Sequence, residues 1–213
     1  VRVLAISSAY AGCDAAYVED GVVTVQARMR DQLGLAAALP AAVQQVLEGR
    51  ILDLVAVVVG PGSFTGLRAG ISVAAGIGLA LGVPVVGVSV AEALADALPA
   101  LDGRELWVAI EARRGRVFID RGAGAVGYDT ESLPRPPGRV AIAGNAAMLV
   151  AGSLAAKGAD VMLTSARVPA AASVAAIGAA RAAGERSPLA ALPLYVDSPA
   201  AKLPAGGLRA APL

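Results

Sequence analysis

Val55-Ala56-Val57-Val58-Val59-Gly60-Pro61-Gly62-Ser63-Phe64-Thr65-Gly66-Leu67-Arg68-Ala69-Gly70 decides the fold. Four valines and an alanine make the kind of strand that is covered on both faces. Gly60-Pro61-Gly62-Ser63 turns the chain, and residues 66–81 read as a helix. That helix carries a small residue at every fourth position: Gly66, Gly70, Ala74, Gly78 and Gly82. Residues four apart share a helix face, and each interior glycine costs about 1 kcal/mol relative to alanine. Close approach of another backbone offsets such a cost. That backbone can belong to the lobe's own sheet or to another subunit, and residue type alone leaves both open.

Working outward, Arg2 to Ile6, Ala15 to Val18 and Val22 to Ala27 are three strands joined by short turns, an antiparallel meander. Residues 33–47 read as an amphipathic helix with Leu35, Leu39, Val43, Val46 and Leu47 near one stripe. Pro40 either kinks it or marks a later start with proline in the first turn. Residues 83–88 form another buried strand and 90–98 a short helix. Hairpins followed by αβ units give a mixed sheet flanked by helices. This is the pattern of the repeating lobe in ribonuclease-H-like and actin-like folds. Pro99 to Arg104 marks a boundary between lobes 1–100 and 101–213.

The second half repeats the first in degenerate form. Strands are expected at 106–110, 116–120, 140–143 and 161–163, with 128–133 ambiguous. Helices are expected at 146–156 and 173–183, the last capped by Ser173 and able to pack back on the first lobe. The tail from Pro188 is proline-rich and extended.

Composition removes several chemistries. The 213 residues include no histidine and one cysteine. Ser-His-Asp and Cys-His catalysis are therefore excluded, as are histidine-bearing zinc sites. Cys13 reads as a small buried hydrophobe. A net charge of +1 gives no strong footprint for nucleic acid on this chain alone. The start, Val1-Arg2-Val3-Leu4, opens a strand and not a leader peptide. No apolar run reaches the roughly 20 residues of a membrane span, so the expectation is a cytoplasmic chain. Gly60 to Gly66 follows a strand and opens a helix, where anions bind. It lacks the lysine of a P-loop and is not GxGxxG, so a structural turn is favoured. In actin-like ATPases a carboxylate at the end of the first strand helps hold a hydrated metal. Here that strand ends Ile6-Ser7-Ser8, and Asp14 reads as a surface charge of the hairpin. Arg113, Arg114 and Arg116 at one turn, and Lys202 near the end, are solvated charges or contacts to an acidic partner or a phosphate backbone.

The block from Gly60 to Gly70, followed by Gly82-Val83-Pro84-Val85-Val86-Gly87-Val88-Ser89, resembles the TsaB family, also called YeaZ. Val3 to Ile6 with Ser8, Ala112-Arg113-Arg114-Gly115, Gly144-Asn145 and Pro193-Leu194-Tyr195-Val196 agree in order. The resemblance implies a two-lobed actin-like fold and a part in making N6-threonylcarbamoyladenosine in tRNA. It implies a non-catalytic subunit with no cofactor, metal or catalytic residue of its own. Such a subunit pairs with the transferase TsaD, meets the ATPase TsaE through the complex, touches tRNA indirectly and can form homodimers. The pairing surface expected from it combines Leu35, Leu39 and Val43 with Phe64, Gly66, Leu67, Gly70, Ile71, Ala74 and Gly78. Arg113, Arg114 and Lys202 are expected partner or RNA contacts.

The sequence also departs from the family. The usual aspartate after the first strand is Ser7, and a His-Ser-Glu near the first helix aligns with Gly34-Leu35-Ala36. Glu111 keeps an acidic position of the second-lobe hairpin, and Arg116 replaces another. These losses weaken the alternative reading, an actin-like ATPase or phosphotransferase acting alone with Gly144-Asn145 and the Ser7-Ser8 turn around a nucleotide. They also leave a metallopeptidase without ligands.

Overall fold

The computed structural model describes residues 1–10, 12–29, 35–113 and 115–197. In chain order the first lobe holds β1 (Arg2–Ser7), β2 (Cys13–Glu19), β3 (Val22–Met29), α1 (Leu35–Leu47), β4 (Leu54–Gly60), α2 (Phe64–Leu81), β5 (Val85–Ser89) and α3 (Val90–Asp96). The second holds β6 (Glu105–Glu111), β7 (Arg116–Asp120), β8 (Ala125–Asp129), β9 (Val140–Ala143), α4 (Ala147–Ala156), β10 (Val161–Leu163) and α5 (Ala171–Ala182).

Each lobe is built on a five-stranded mixed sheet, ordered β3-β2-β1-β4-β5 in one and β10-β9-β6-β7-β8 in the other. The two orders superpose strand for strand once β6 is matched to β1. In both, two antiparallel pairs are followed by parallel additions. The β2–β3 turn places Asp20 and Gly21 both at positive φ, as a tight two-residue hairpin requires. The second lobe is reduced: no helix stands between β8 and β9, and a loop from Thr130 to Arg139 takes its place. The ambiguous stretch at 128–133 resolves as the end of β8 and the start of that loop.

Helix α1 begins at Leu35, so Pro40 lies inside it and not in its first turn. Leu39, Val43 and Val46 face the core with Leu4, Ile6, Tyr17 and Val57. By length and composition α2 would pass as a membrane span. In this fold its Gly66, Leu67, Gly70, Ile71, Ala74 and Gly78 are buried.

Helix α5 follows the second sheet but packs on the first. Val174, Ala175 and Ile177 share a core with Val3, Ala5 and Ala56, and the same core includes Val108 and Ile110 of β6. The helix starts at Ala171 after Ala170, which gives no side-chain cap. Ser173, expected as the cap, lies inside the first turn and is buried. Asp14 supplies the acceptor instead: its Oδ2 takes the Ala171 N–H at 3.2 Å, and its carboxylate also holds Gln26 Nε2 at 2.7 Å. Asp14 is thus buried, not a surface charge. A local rule cannot find a cap that comes from another strand. Asp14→Ala is expected to cost about 1–2 kcal/mol, the loss of a helix cap. That lowers the melting temperature by roughly 2–8 °C for a chain of this size, whereas Asp14→Asn keeps the acceptor and most of the stability. Calorimetry checks this; an Asp14→Ala protein that melts with the wild type removes the residue from this role.

Candidate functional site

The turn between β4 and α2 is occupied by the chain itself. Ser63 N–H donates to Ala9 O at 2.6 Å, and a Cβ on Gly62 would collide with Ala9 O. Ser63 Oγ accepts the Gly66 N–H at 3.2 Å and caps the helix. Ser8 is buried, and its hydroxyl donates to Gly66 O at 2.9 Å. The Ser8 and Ser63 hydroxyls are therefore both spent on seating the first turn of α2. Among the described residues no three histidine, cysteine, aspartate or glutamate side chains come together.

The row Gly66, Gly70, Ala74, Gly78 points inward. A Cβ on Gly70 would run into Ser8 Oγ and lie 3.5 Å from Ile6 Cγ2, and one on Gly78 would run into Val85. The groups approached so closely, the side chains of Ile6, Ser8 and Val85, belong to the same lobe. Leu67, Ile71 and Ala74 are core residues, as are Leu39 and Val43 of α1. Of the expected surface, then, these residues shape the seat of the helix. Phe64 is 53% exposed. For Leu35 the backbone alone is described, and Arg114 and Lys202 lie outside the described residues. Arg113 is exposed on the β6–β7 turn.

A second row of small residues faces the other way. Thr65, Ser72, Gly76 and Ala80 are exposed and Ala69 is half-buried, at spacings of three and four that keep them on one face. A Cβ on Gly76 would meet nothing within 4 Å. Beside this row runs an apolar groove of about 400 Å³ between α1 and α2, lined by Pro40, Val43, Gln44, Leu47, Glu48, Val73 and Ile77. Sequence reasoning missed the outward row because a helix with small residues on two faces gives no periodic contrast. The exposed Ser72 and Thr65 were the available signal. At the start of the face, Arg68 lies over the Phe64 ring at 3.5 Å from its centroid.

A cleft of about 860 Å³ lies between the lobes, with Glu92, Asp96, Glu105, Asp120, Arg121 and Arg181 among its lining. Arg181 is buried there and fully engaged: Nη1 donates to Gly87 O at 2.6 Å, Nε to Ser187 O at 2.7 Å and Nη2 to Glu92 Oε1. Glu92 also completes a capping box with Ser89 at the start of α3. Burial pushes the Glu92 carboxyl up, but the Ser89 N–H, the Arg181 guanidinium and the Ser89 hydroxyl more than offset it, leaving the group below its ordinary value. These charges therefore stabilise the joint between α3, β5 and α5. Asn145, expected near a nucleotide in the ATPase reading, accepts the Glu111 N–H at 2.9 Å.

A family model described as TsaD, tRNA N6-adenosine threonylcarbamoyltransferase, matches residues 22–186. The tRNA threonylcarbamoyladenosine biosynthesis protein TsaB of Escherichia coli K12 is 32% identical over 147 residues, 64% of this chain and 63% of that protein. An uncharacterised protein of Mycobacterium tuberculosis H37Rv is 40% identical over 102 residues, 46% of this chain and 45% of its own length. The matches thus span less than two thirds of these relatives. Among solved structures, YeaZ from Pseudomonas aeruginosa aligns with a TM-score of 0.72 at 24% identity, covering 91% of this chain and 99% of that one. A second Pseudomonas aeruginosa protein, described as similar to peptidase YEAZ, aligns at 0.74 and 23%, covering 92% and 99%. At such identity these likenesses speak for the fold, the two-lobed actin-like arrangement of mixed sheets and helices. The motif around Gly60 to Gly70, the matched family model and the shared fold agree, and the chain belongs to the TsaB/YeaZ family, related to TsaD.

Proposed function

We propose that this chain is a non-catalytic dimerisation subunit of the machinery that makes N6-threonylcarbamoyladenosine in tRNA. It pairs with a TsaD-like catalytic subunit through the outward face of α1 and α2. The observation that carries this reading is the exposed row Thr65, Ala69, Ser72, Gly76 and Ala80 beside the apolar groove. Small residues let a second helix come close, and the groove gives a side chain from that helix an apolar seat. Two such helices and their partners can supply much of the roughly 1,600 Å² that a stable interface buries. The same face can serve a homodimer.

The chemistry at the end of β1 supports a supporting role. An actin-like ATPase needs charge neutralisation by metal at its phosphates. Here Ser7 and Ser8 stand at that place, Ser8 is bound to Gly66 O, and Asp14 is committed to α5. Transfer would then belong to the TsaD-like subunit, and a TsaE-like ATPase would act through the complex in the cytoplasm. Any tRNA contact would be shared, with Arg113, exposed on the β6–β7 turn, contributing to it.

Reconstitution tests the role. A mixture of TsaD-like subunit, TsaE-like ATPase, threonylcarbamoyl-adenylate and unmodified tRNA should form the modified nucleoside only when this chain is added. The chain alone should transfer nothing and should neither bind nor turn over Mg-ATP in a calorimetric titration. Transfer or ATP turnover by the isolated chain would overturn the proposal.

A further inference from the structure

Residues 183–197, which follow α5, stay against the molecule. The chain turns at Ser187, whose carbonyl is held by the buried Arg181, and runs back over β5 and the carboxyl end of β4. Leu189 O accepts the Gly87 N–H at 2.8 Å, and Leu194 N–H donates to Val59 O at 2.8 Å. The first lobe is shaped to receive this segment. A Cβ on Gly87 would collide with Ala190 O, and one on Gly60 would lie 3.3 Å from Leu194 O. Leu189, Ala191 and Pro193 alternate as half-buried residues along the segment, and Val196 is half-buried further on. Beyond them the segment is fixed twice more. Tyr195 Oη accepts from Arg68 Nη2 of α2 at 2.7 Å. Asp197 pairs with Arg116 Nη1 of β7, in the other lobe, at 2.6 Å, and Gly127 of β8 leaves room for that pair.

We infer that residues 188–197 are a latch: they cover the crevice at the carboxyl ends of β4 and β5 and tie the first lobe to the second, so that the interlobe cleft opens when they are released. Ligands of open α/β sheets enter at the carboxyl ends of the strands, and here the chain's own backbone takes that position. Leu189, Leu194, Tyr195 and Val196 also form one wall of the cleft, so moving the latch changes both its width and its access. The closing contacts to Arg68 and Arg116 are partly exposed. Exposed pairs of this kind are individually weak, which suits a device that opens and recloses.

The full chain carrying Tyr195→Phe and Asp197→Ala together tests this against the wild type. Two readouts are needed: amide exchange by mass spectrometry, and the distance between spin labels at Glu19→Cys and Lys157→Cys, exposed positions on opposite lobes. The double variant should exchange about 10-fold faster or more across residues 188–197 and at Gly87, as a locally opened segment does. Its label distance should spread to several ångströms beyond the single wild-type value, with the melting temperature unchanged. Tyr195→Phe alone should move both readouts in the same direction by less. Unchanged exchange overturns the inference. So does faster exchange at an unchanged interlobe distance, since the segment would then be a cover on one lobe and no tether.

Discussion

Gly70→Leu should unfold the first lobe at markedly lower temperature. The position reads like an interface residue, yet the space of its missing side chain is filled by Ile6 of β1 and by Ser8 just after that strand. A leucine there must lift α2 off the sheet, which strains a packed core by about 1–3 kcal/mol. It also breaks the buried Ser8 hydroxyl's bond to Gly66 O, worth a further ~1–3 kcal/mol once that hydroxyl is unsatisfied. Removing a glycine from the helix returns about 1 kcal/mol. The balance is a loss of roughly 3 kcal/mol, or a melting temperature lower by roughly 6–12 °C. Thermal denaturation followed by circular dichroism measures it. An unchanged melting temperature would mean that the inward row does not bear on the sheet. Any loss of partner binding by this variant follows from its lost fold, so it is no probe of the surface.

The same contrast shows what could be read from the sequence. The strand–turn–helix from Val55 to Leu81 was visible because its apolar run, its Gly-Pro-Gly-Ser turn and its helix follow one another within thirty residues. The paired lobes were visible as a repeated order of hairpins and αβ units. Which face of α2 met the sheet was not visible, because Gly70 and Gly76 differ only in what lies opposite them. Asp14 and Ser173 were misplaced for a related reason. The acceptor for α5 comes from a strand 157 residues away along the chain, and propensity rules weigh only neighbours. The return of residues 188–197 over β4 and β5 was likewise hidden: proline and small residues announce an extended segment but not where it lies. Gly87 was the trace of it, a glycine inside β5 with no turn of its own to explain it.

Gly76→Arg should leave the fold intact and remove the partner. Space around Gly76 is open, so an arginine there meets solvent in the free chain, and replacing a helical glycine favours the helix by up to about 1 kcal/mol. In a helix pair built on Thr65, Ala69, Ser72, Gly76 and Ala80, the same side chain sits where the second backbone must pass. Residues at the centre of such contacts cost 2 kcal/mol or more when disturbed, and a charged side chain with no room exceeds that, to about 3 kcal/mol or roughly 100-fold in affinity. The inward and outward rows thus predict opposite outcomes for two glycines six residues apart.

The dissociation constant of this chain with a TsaD-like subunit, measured by calorimetry for the wild type and Gly76→Arg, tests the outward face of α1 and α2 most directly. The account predicts a constant about 100-fold higher for Gly76→Arg, at a melting temperature equal to or above that of the wild type. Equal affinity from a fully folded Gly76→Arg chain would contradict it and move the partner's contact elsewhere.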